Sequence, residues 1–490
     1  MAVLPETMES VTLIRALVIA GASYMILLVV YRLFFHPLSH IPGPRLAAVT
    51  YWYESYYDII KSPGGQYWHK LEELHKIYGP IIRINPDEVQ INDPEWYNKI
   101  YAGGSIKRNR YARSVAGNGA PGSMASAVSH DLHRLRRGSL NPFMSKAAVQ
   151  RLEGRIQSQL SILCRRLSEF MGRGEIVDIG VAMTALTLDI ITEYSFGESW
   201  KCVDKNDLSY DFISAMRGGF ETLQIRKQFT TLLELIPPKF LRATSPQMEI
   251  YFDFKDETQV NLFTEALDSL PSEETDTQRM ADEAIVVITA GSETTSRVLV
   301  VIFYYVLTDQ KVLAKLLREL DAAMPDMNSQ ISSSELESLP YLTAVIREAL
   351  RLSNAVPNRS LLTADEPLQY KQYTLKPGTP VCMSTSKYLV DERIHANANT
   401  FDPERWLGDP QHTQELLRHF APFSKGHRSS FGQNLAYTEL YLASAYVFRR
   451  FEMRLHDVVR ERDVDSVRDA FIGLPSPQSK GVRLEILAKR

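Results

Sequence analysis

Residues 290–295, Ala-Gly-Ser-Glu-Thr-Thr, interrupt an apolar stretch with groups that can exchange protons. A glycine in a helix interior costs about 1 kcal/mol relative to alanine, and hydroxyls beside a carboxylate are unfavourable in a core unless they find partners. Ser and Thr hydroxyls can also take over backbone hydrogen bonds and open a local bulge. Taken alone, the hexapeptide fits a helix kink satisfied by its own backbone as well as it fits a site of proton transfer.

Two further groups of charged residues have spacings typical of a helix face. Glu348 and Arg351 are three residues apart and are neighbours on a helix, but such pairs are common on surfaces and contribute only a few tenths of a kcal/mol. Residues 133–137, His-Arg-Leu-Arg-Arg, form a basic cluster on a predicted helix. The pair taken singly indicates a surface ion pair, and the cluster indicates either a solvated face or an anion-binding group.

Residues 423–432, Phe-Ser-Lys-Gly-His-Arg-Ser-Ser-Phe-Gly, carry the most specific pattern. The segment resembles the haem-ligand loop of the cytochrome P-450 monooxygenases, F-x-x-G-x-R-x-C-x-G. Serine occupies position 430, where that family has the cysteine that binds iron. The other patterns resemble the same family in their order along the chain: H-x-x-x-R, A-G-x-E-T-T, E-x-x-R, and F-x-P-E-R at 401–405. The resemblance covers essentially the whole chain and is to microsomal fungal members.

The resemblance implies a cytochrome P-450 fold, mainly α with small β-sheets, and haem b (iron protoporphyrin) as cofactor. It assigns Thr294 to hydrogen bonding at the oxygen-binding position and Glu293 to proton relay, since delivery of a proton needs a donor and a path. A structural network of Glu348, Arg351 and Arg405 would fix the loop that presents the iron ligand and would catalyse nothing.

Haem binding is assigned by the same resemblance. The axial position would be Ser430. The propionates would bind to basic side chains, because guanidinium groups suit carboxylates. The cofactor-binding residues expected on this basis are Ser430, His133, Arg137, Arg359, Arg428, Phe423 and Gly432.

Ser430 changes the expected chemistry. A thiolate pushes electron density onto haem iron and favours O–O cleavage, whereas a serine hydroxyl is a weak and normally neutral donor. The chain is therefore predicted to descend from monooxygenases and to be a poor one as written. The alternative is a catalytically silent or repurposed protein of the same fold that binds ligand or haem.

The resemblance also implies partners. Electrons would come from a NADPH-dependent cytochrome P-450 reductase, and we expect its acidic surface to contact Arg134, Arg136, Lys425 and His427. The substrate would be a small hydrophobic secondary metabolite, terpenoid or polyketide-like. The net charge of −3 gives no indication of nucleic-acid binding.

The N-terminus predicts a membrane anchor. Residues 16–31 carry no charge, and with the flanking apolar residues the stretch reaches 11–35, enough to span a bilayer. Positive charge after the span predicts a cytosolic main body on the endoplasmic reticulum membrane, with residues 1–10 lumenal. A cleaved signal peptide is the competing interpretation, but no basic leading region or small-residue cleavage site is evident.

The remaining chain is predicted to form one large domain. A Pro-rich hinge at 36–45 precedes a haem domain at 46–490, with no Gly/Ser-rich linker inside it. Its three cysteines are widely separated, which argues against disulfides or a zinc site and fits a reducing compartment.

The patterns also predict individual elements. We expect a β-hairpin at 81–91, a helix at about 279–307 that begins with a Thr275-x-x-Gln278 capping box, and helices at about 340–352 and 434–451. By comparison with the family, the segment between residue 253 and the long helix is shorter than expected.

Overall fold

The computed structural model describes residues 4–235 and 270–490, and it is mainly helical, as the sequence predicts. The short segment expected before the long helix lies largely outside the described residues. The helices are α1 Leu4–Val30, α2 Arg45–Val49, α3 Trp52–Ser55, α4 Tyr67–Tyr78, α5 Tyr97–Ile100, α6 Ala112–Val115, α7 His130–Leu140, α8 Lys146–Arg173, α9 Ile179–Phe196, α10 Tyr210–Glu221, α11 Leu223–Gln228, α12 Thr230–Glu234, α13 Thr277–Thr308, α14 Gln310–Ala323, α15 Ser333–Glu337, α16 Pro340–Leu352, α17 Thr385–Leu389, α18 Pro410–His419 and α19 Gln433–Arg450.

The strands are short and form small sheets. They are β1 Ile81–Arg83, β2 Val89–Ile91, β3 Asn109–Arg110, β4 Val177–Asp178, β5 Leu362–Thr363, β6 Leu368–Tyr370, β7 Tyr373–Leu375, β8 Val381–Cys382, β9 Phe451–Leu455, β10 Arg468–Ala470, β11 Ile472–Leu474 and β12 Arg483–Lys489. The largest sheet has the order β1-β2-β8-β5-β3, and the others are β4-β12-β9, β6-β7 and β10-β11. The predicted hairpin is confirmed, because Ile81 pairs with Ile91 in an antiparallel register.

The N-terminal apolar helix stands apart from the rest of the protein. Residues Ser10–Phe35 have a mean hydropathy of 2.3, and none of the most apolar stretch is buried against other residues. Two further helices, α9 and α13, are long and apolar enough to cross a membrane, but they are mostly buried inside the protein. Burial explains their composition, whereas no part of the chain that the structure describes covers the first helix, as suits a segment that a bilayer would surround.

Helix α13 runs through the centre of the helical core. At 1.5 Å per residue its 32 residues extend about 48 Å. Its apolar side chains pack against α9 and α19, and the rings of Phe303 and Phe448 stack with centroids 4.9 Å apart. Polar groups on α9 and α13 satisfy each other, since Thr184 Oγ1 donates to Ser296 Oγ at 2.8 Å. The helix is thus held on both sides, by α9 and by α19, and α19 begins directly after the loop that contains residue 430.

The predicted start of this helix is wrong in detail. Asp276 is the residue before the first turn, and its carboxylate accepts from the backbone N–H of Arg279 at 3.1 Å. The hydroxyl of Thr275 instead donates to the carbonyl of Ser272. Asp therefore replaces the expected Thr-x-x-Gln box, because a carboxylate at that position accepts the same backbone donors.

A buried carboxylate joins α16 to the segment that leads to the Ser430 loop. Glu348 accepts from Arg351 Nε at 2.9 Å and Nη2 at 2.7 Å, and from Arg405 Nε at 3.0 Å. The Trp406 indole N–H also donates to it at 2.9 Å. Arg351 further donates to the carbonyls of Leu389, Ala398 and Thr400. The network therefore fixes the backbone between 389 and 406 against a core helix.

We expect Glu348→Gln to destabilise the protein strongly. The substitution leaves the guanidiniums of Arg351 and Arg405 buried without a counter-charge, which costs about 3–5 kcal/mol when a buried pair is broken. The measurement is the apparent Tm of the detergent-solubilised protein and its soluble yield. The control is Glu404→Gln, which breaks a half-exposed pair with Lys315 and should cost less than about 1 kcal/mol. Equal effects of the two substitutions would contradict the assignment.

Candidate active site

The Ser430 loop is held in a defined turn by backbone hydrogen bonds. The Ser430 N–H donates to the carbonyl of Phe423 at 2.8 Å, and residues Gly426–Arg428 form a 3-10 turn. The side chain of Ser430 is exposed. Gly432 directly precedes α19, and the Phe423 ring packs on Tyr437 with centroids 5.3 Å apart. The loop thus presents Ser430 just before the N-terminus of a long helix.

Gly426 meets the chain near residue 102 so closely that no side chain fits. Its φ is +69°, and a Cβ would lie 2.0 Å from the carbonyl oxygen of Ala102. The N–H of His427 donates to the same carbonyl at 3.2 Å. Glycine is required here by both the backbone conformation and the contact.

Basic side chains gather beside this loop without acidic partners among the residues that the structure describes. Arg428 donates to the carbonyls of Ala127 and Val128, and Arg137 donates to that of Ser429 at 2.5 Å. Burial and the charges of Arg428 and Arg137 lower the pKa of His133 to about 2. The imidazole is therefore neutral, mainly because it is buried and further because cations surround it.

Arg110 belongs to this cluster and was missed by the sequence patterns. It lies on β3, and burial followed by Arg110 and Arg137 lowers the pKa of Arg428. The Nε atoms of Arg110 and Arg428 are buried and have no hydrogen-bond partner among the described residues. In the sequence, Arg110 is one of three arginines within residues 108–113, and nothing there distinguishes it from a surface charge.

This donor set fits the propionates of a haem. Buried cations are normally paired, and here the partners of Arg137 and Arg428 are backbone carbonyls, which carry no charge. Two carboxylates at this place would supply the missing counter-charge and the missing acceptors. His133, Arg137 and Arg428, together with Arg110, are thus suited to hold the anionic edge of the cofactor.

Arg359 is placed in a different environment. Its Nη2 donates to Glu54, and its Nη1 lies 3.8 Å from Glu88 Oε2. Lys227 Nζ donates to the same Glu54 at 2.7 Å, and Asp58 lies close by. The prediction that Arg359 binds a propionate gains no support from this geometry, because its charge is already shared with buried carboxyl groups.

The hydroxyls of the 290–295 segment bond back to their own helix. Thr294 Oγ1 donates to the Ala290 carbonyl at 2.7 Å, and Ser292 Oγ donates to that of Ile288 at 2.9 Å. Ala290 is exposed although most of α13 is buried, and Thr294 is partly exposed. Both hydroxyls are therefore satisfied by the backbone of their own helix, but Ser292 is buried whereas Thr294 is partly accessible.

Glu293 is turned to an ion pair. Both of its carboxylate oxygens accept from Arg217 Nε at 3.1 Å, and Arg217 Nη2 donates to Thr184 Oγ1 at 3.0 Å. Glu293 is buried, and Arg217 retains partial exposure. Arg217 on α10 was not found from the sequence, because nothing in its own surroundings marks it as the partner of a residue on α13.

The expected docking face is only partly exposed. Arg134 is exposed on α7, and Lys425 and His427 are partly exposed. The prediction for Arg136 is wrong: its guanidinium is buried and donates to Glu274 at 2.7 Å and 3.2 Å. The periodicity of α7 turns Arg136 inward while Arg134 points outward.

A buried carboxyl group on α19 also escaped the sequence patterns. Glu439 is 1% exposed, and neither of its oxygens has a hydrogen-bond partner by distance and angle among the described residues. Burial raises its pKa well above the ordinary value, with Thr295 close enough to oppose the rise. The group is therefore a neutral acid between α19 and α13.

Comparisons with known proteins identify the family of the chain. The family model "Cytochrome P450" matches residues 51–480. A cytochrome P450 monooxygenase of Ascocoryne sarcoides, MO6277, is 39% identical over 93% of this chain and 95% of its own length. Tryptophan 6-hydroxylase fscE of Fusarium equiseti is 36% identical over 94% of both chains. N-acetyltryptophan 6-hydroxylase ivoC of Emericella nidulans is 36% identical over 94% of this chain and 95% of its own length.

The chain belongs to the cytochrome P450 family, whose members bind haem and act as monooxygenases. Its relatives in the comparison are fungal enzymes. Members of the family generally take electrons from a redox partner and act on hydrophobic substrates.

We expect Arg110→Met to have opposite effects on the haem-free protein and on haem retention. Removing a partly buried cation whose Nε is buried and has no partner among the described residues should raise the apparent Tm of the haem-free protein. Removing a donor for a propionate should accelerate haem transfer to a haem-scavenging protein roughly tenfold or more. Arg134→Met, on the exposed face, is the control. Unchanged haem transfer in Arg110→Met would contradict the assignment of the cluster.

Asp58→Asn should stabilise the protein at high pH. Burial, followed by the charge of Glu54, raises the pKa of Asp58 from 3.8 to about 7, with Arg359 opposing and Asp469 reinforcing the rise. The folded protein therefore binds this proton more tightly than the unfolded chain, and stability falls as pH rises from about 4 to about 7. Asparagine keeps an oxygen that can accept from the Tyr67 N–H.

The measurement is apparent Tm against pH for the parent and Asp58→Asn. The advantage of the variant should grow to several degrees between pH 4 and pH 8. Glu415→Gln, at an exposed position on α18, should follow the parent at every pH. A constant difference across the range would show that Asp58 does not titrate as assigned.

Proposed function

We propose that this chain is a membrane-anchored haem protein of the monooxygenase type that acts on a hydrophobic secondary metabolite, with Ser430 at the axial iron position. The observation that carries the proposal is the cluster of buried and partly buried basic residues beside the loop that presents Ser430. Such a cluster is costly unless an anionic cofactor occupies it.

The haem, when bound, would supply the chemistry of inserting one oxygen atom from O₂ into the substrate. His133, Arg137, Arg428 and Arg110 would orient it by contacts with its carboxylates. Thr294 would donate its hydroxyl proton to a ligand on the exposed side of α13, in place of its present bond to Ala290. Glu293 would take part in proton relay only after leaving Arg217.

Ser430 is the reason to expect weak activity. A hydroxyl oxygen donates much less electron density to iron than a thiolate does. The remaining cysteines do not substitute for it: Cys164, Cys202 and Cys382 are all buried, and Cys382 lies within β8. We therefore expect this chain to bind haem but to catalyse oxidation poorly.

The substrate class is proposed from the relatives. Two of them are named for hydroxylation of tryptophan or N-acetyltryptophan, and MO6277 is named only as a monooxygenase. The proposed substrate is therefore a terpenoid, polyketide-like or aromatic secondary metabolite. The enzyme would transfer oxygen to a carbon of such a molecule.

The location is proposed to be the endoplasmic reticulum membrane, with residues 11–35 as a single span and the domain after the hinge in the cytosol. The exposed apolar helix supports a membrane anchor. A NADPH-dependent reductase would supply electrons through the face that contains Arg134, Lys425 and His427. Positive charge on this face would guide an acidic partner.

A catalytically silent haem- or ligand-binding protein is the second candidate. Three observations favour it: serine stands at position 430 of the loop, Thr294 bonds to its own helix, and Glu293 is held by Arg217. The haem-binding cluster would be retained in both cases. The two candidates therefore differ in turnover and not in cofactor binding.

Ser430→Cys separates the candidates. The measurement is the absorption spectrum of the reduced, carbon monoxide-saturated protein, for the parent and the variant. We expect a thiolate-type band in Ser430→Cys and a blue-shifted haem band in the parent, since only the axial donor differs. Ser430→Ala serves as the control that lacks any side-chain donor.

The outcome for activity follows from the same variants. Gain of NADPH-driven substrate oxidation in Ser430→Cys, with reductase present, would show that only the axial donor was missing. A thiolate-type band without oxidation would favour the silent protein. Absence of haem from all three proteins would refute the proposed cofactor site.

A further inference from the structure

Helix α13 is held at residues 292–296 by polar side chains from two other helices. On α9, Thr184 Oγ1 donates to Ser296 Oγ at 2.8 Å, and Thr187 Oγ1 donates to the carbonyl of Ser292 at 3.1 Å. All four of these residues are buried. Hydroxyls that are paired inside a core hold the elements that carry them in one arrangement. The polar part of α13 is therefore fixed to the core on the side of α9.

Helix α10 adds a cation to this network. Both carboxylate oxygens of Glu293 accept from Arg217 Nε at 3.1 Å, and Arg217 Nη2 donates to Thr184 Oγ1 at 3.0 Å. Met216, the preceding residue on α10, has its sulfur 4.0 Å from Ser292 Oγ. The side chain of Glu293 is 5% exposed, whereas that of Arg217 is 31% exposed. Water can therefore solvate the guanidinium when it leaves the pair, while the carboxylate stays in the protein.

Two features of its surroundings allow Arg217 to leave Glu293. Residues 218–219, directly after it, are both glycine, which weakens the interior of a helix. A second carboxylate also acts on it: burial opposes the charge of Arg217, but the charges of Glu293 and then of Asp178 outweigh burial and raise the pKa of Arg217. Asp178 is the residue before the first turn of α9. A guanidinium that moves away from Glu293 therefore still has a negative charge near it.

The ion pair keeps Glu293 apart from the hydroxyl beside it on α13. Thr294 is partly exposed and now donates to the carbonyl of Ala290 at 2.7 Å. Glu293 is turned toward α10, and both of its oxygens are occupied by Arg217. A group that transfers protons needs to be within hydrogen-bond reach of the donor and the acceptor, directly or through one water. Glu293 therefore has to be released before it exchanges a proton with another group.

We propose that Arg217 is a positioning residue for proton transfer on α13: it occupies the Glu293 carboxylate, and its departure releases that carboxylate to exchange protons with solvent and with Thr294. The released carboxylate binds a proton from solvent and passes it to the Thr294 oxygen, while the hydroxyl gives its own proton to a bound ligand. Each group thus ends the cycle as it began. This role of Arg217 rests on the proposed function, in which Thr294 donates a proton to a ligand.

Infrared difference spectra of the full chain test the release without any turnover. Glu293→Gln identifies the bands of Glu293 in the parent, which should be those of an ionised carboxylate. In Arg217→Met the carboxylate is left in the core without a cation, so we expect these bands to be replaced by the carbonyl band of a protonated carboxyl group at neutral pH. Arg217→Lys, which keeps a positive charge, should retain the carboxylate bands.

Glu221→Gln is the matched control, because it breaks another ion pair of the same helix. Glu221 accepts from Arg468 Nη2 at 2.7 Å, and its side chain is 48% exposed. The variant should leave the bands of Glu293 unchanged. Unchanged carboxylate bands in Arg217→Met, or their loss in Glu221→Gln, would overturn the proposal, since Arg217 would then not be the group that occupies Glu293.

NADPH consumption in the absence of substrate tests the effect on proton supply. It is measured with the reductase in the Ser430→Cys background, where NADPH and a proton reduce O₂ to H₂O₂. Release of Glu293 supplies protons without waiting for substrate, so adding Arg217→Met should raise H₂O₂ formation about tenfold. Adding Glu293→Gln as well should abolish the rise. A purely structural role of Arg217 would instead lower turnover whether or not Glu293 is present.

Two outcomes distinguish a failure of this proposal from a failure of the proposed function. If Ser430→Cys shows a thiolate-type band and Arg217→Met does not raise H₂O₂ formation, Arg217 does not control proton supply, and the proposal is wrong although the haem site is right. If no variant binds haem, the cofactor site is wrong and Thr294 has no ligand to serve. The role of Arg217 then fails with it, even where the infrared bands change as expected.

Discussion

The interaction on which the rest of this structure depends is the buried carboxylate of Glu348. It gathers donors from α16, from the 401–406 segment and from the indole of Trp406, while Arg351 holds three carbonyls of the intervening chain. A charged group with this many partners has few alternative arrangements, because each alternative leaves a buried charge unpaired. These core contacts therefore fix the path of the chain toward the Ser430 loop, and they take no part in catalysis themselves.

The candidate active site has the opposite arrangement of charge to the Glu348 network. Around Arg428 and Arg137 the protein concentrates positive charge, and in the described part of the chain the two guanidiniums donate to backbone carbonyls. The unpaired positive charge destabilises this region when no anion is bound, and it favours a ligand that carries the missing negative charge. The Glu348 network stabilises the fold, and the basic cluster supplies affinity for the cofactor. The chain segment between them connects the two.

The sequence predicts these features unequally. The long helix, the 340–352 helix and the hairpin follow from periodicity and turn residues, which act locally, and all three are confirmed. Arg110 and Arg217 could not be found in this way, because their roles arise from contacts with residues far along the chain. Arg136 was misplaced for the related reason that a basic run does not say which of its members faces inward. Motif order identifies the family, whereas charge pairing has to be read from the structure.

The contact of Gly426 with Ala102 makes the shape of the loop depend on a distant part of the chain. The two residues are more than 300 positions apart, yet a single methyl group at 426 would collide with the carbonyl of 102. The shape of the loop therefore depends on where the chain around residue 102 lies, because the two backbones pack with no space for a side chain between them. A change that displaces the chain at residue 102 would alter the geometry at Ser430 without any substitution in the loop itself.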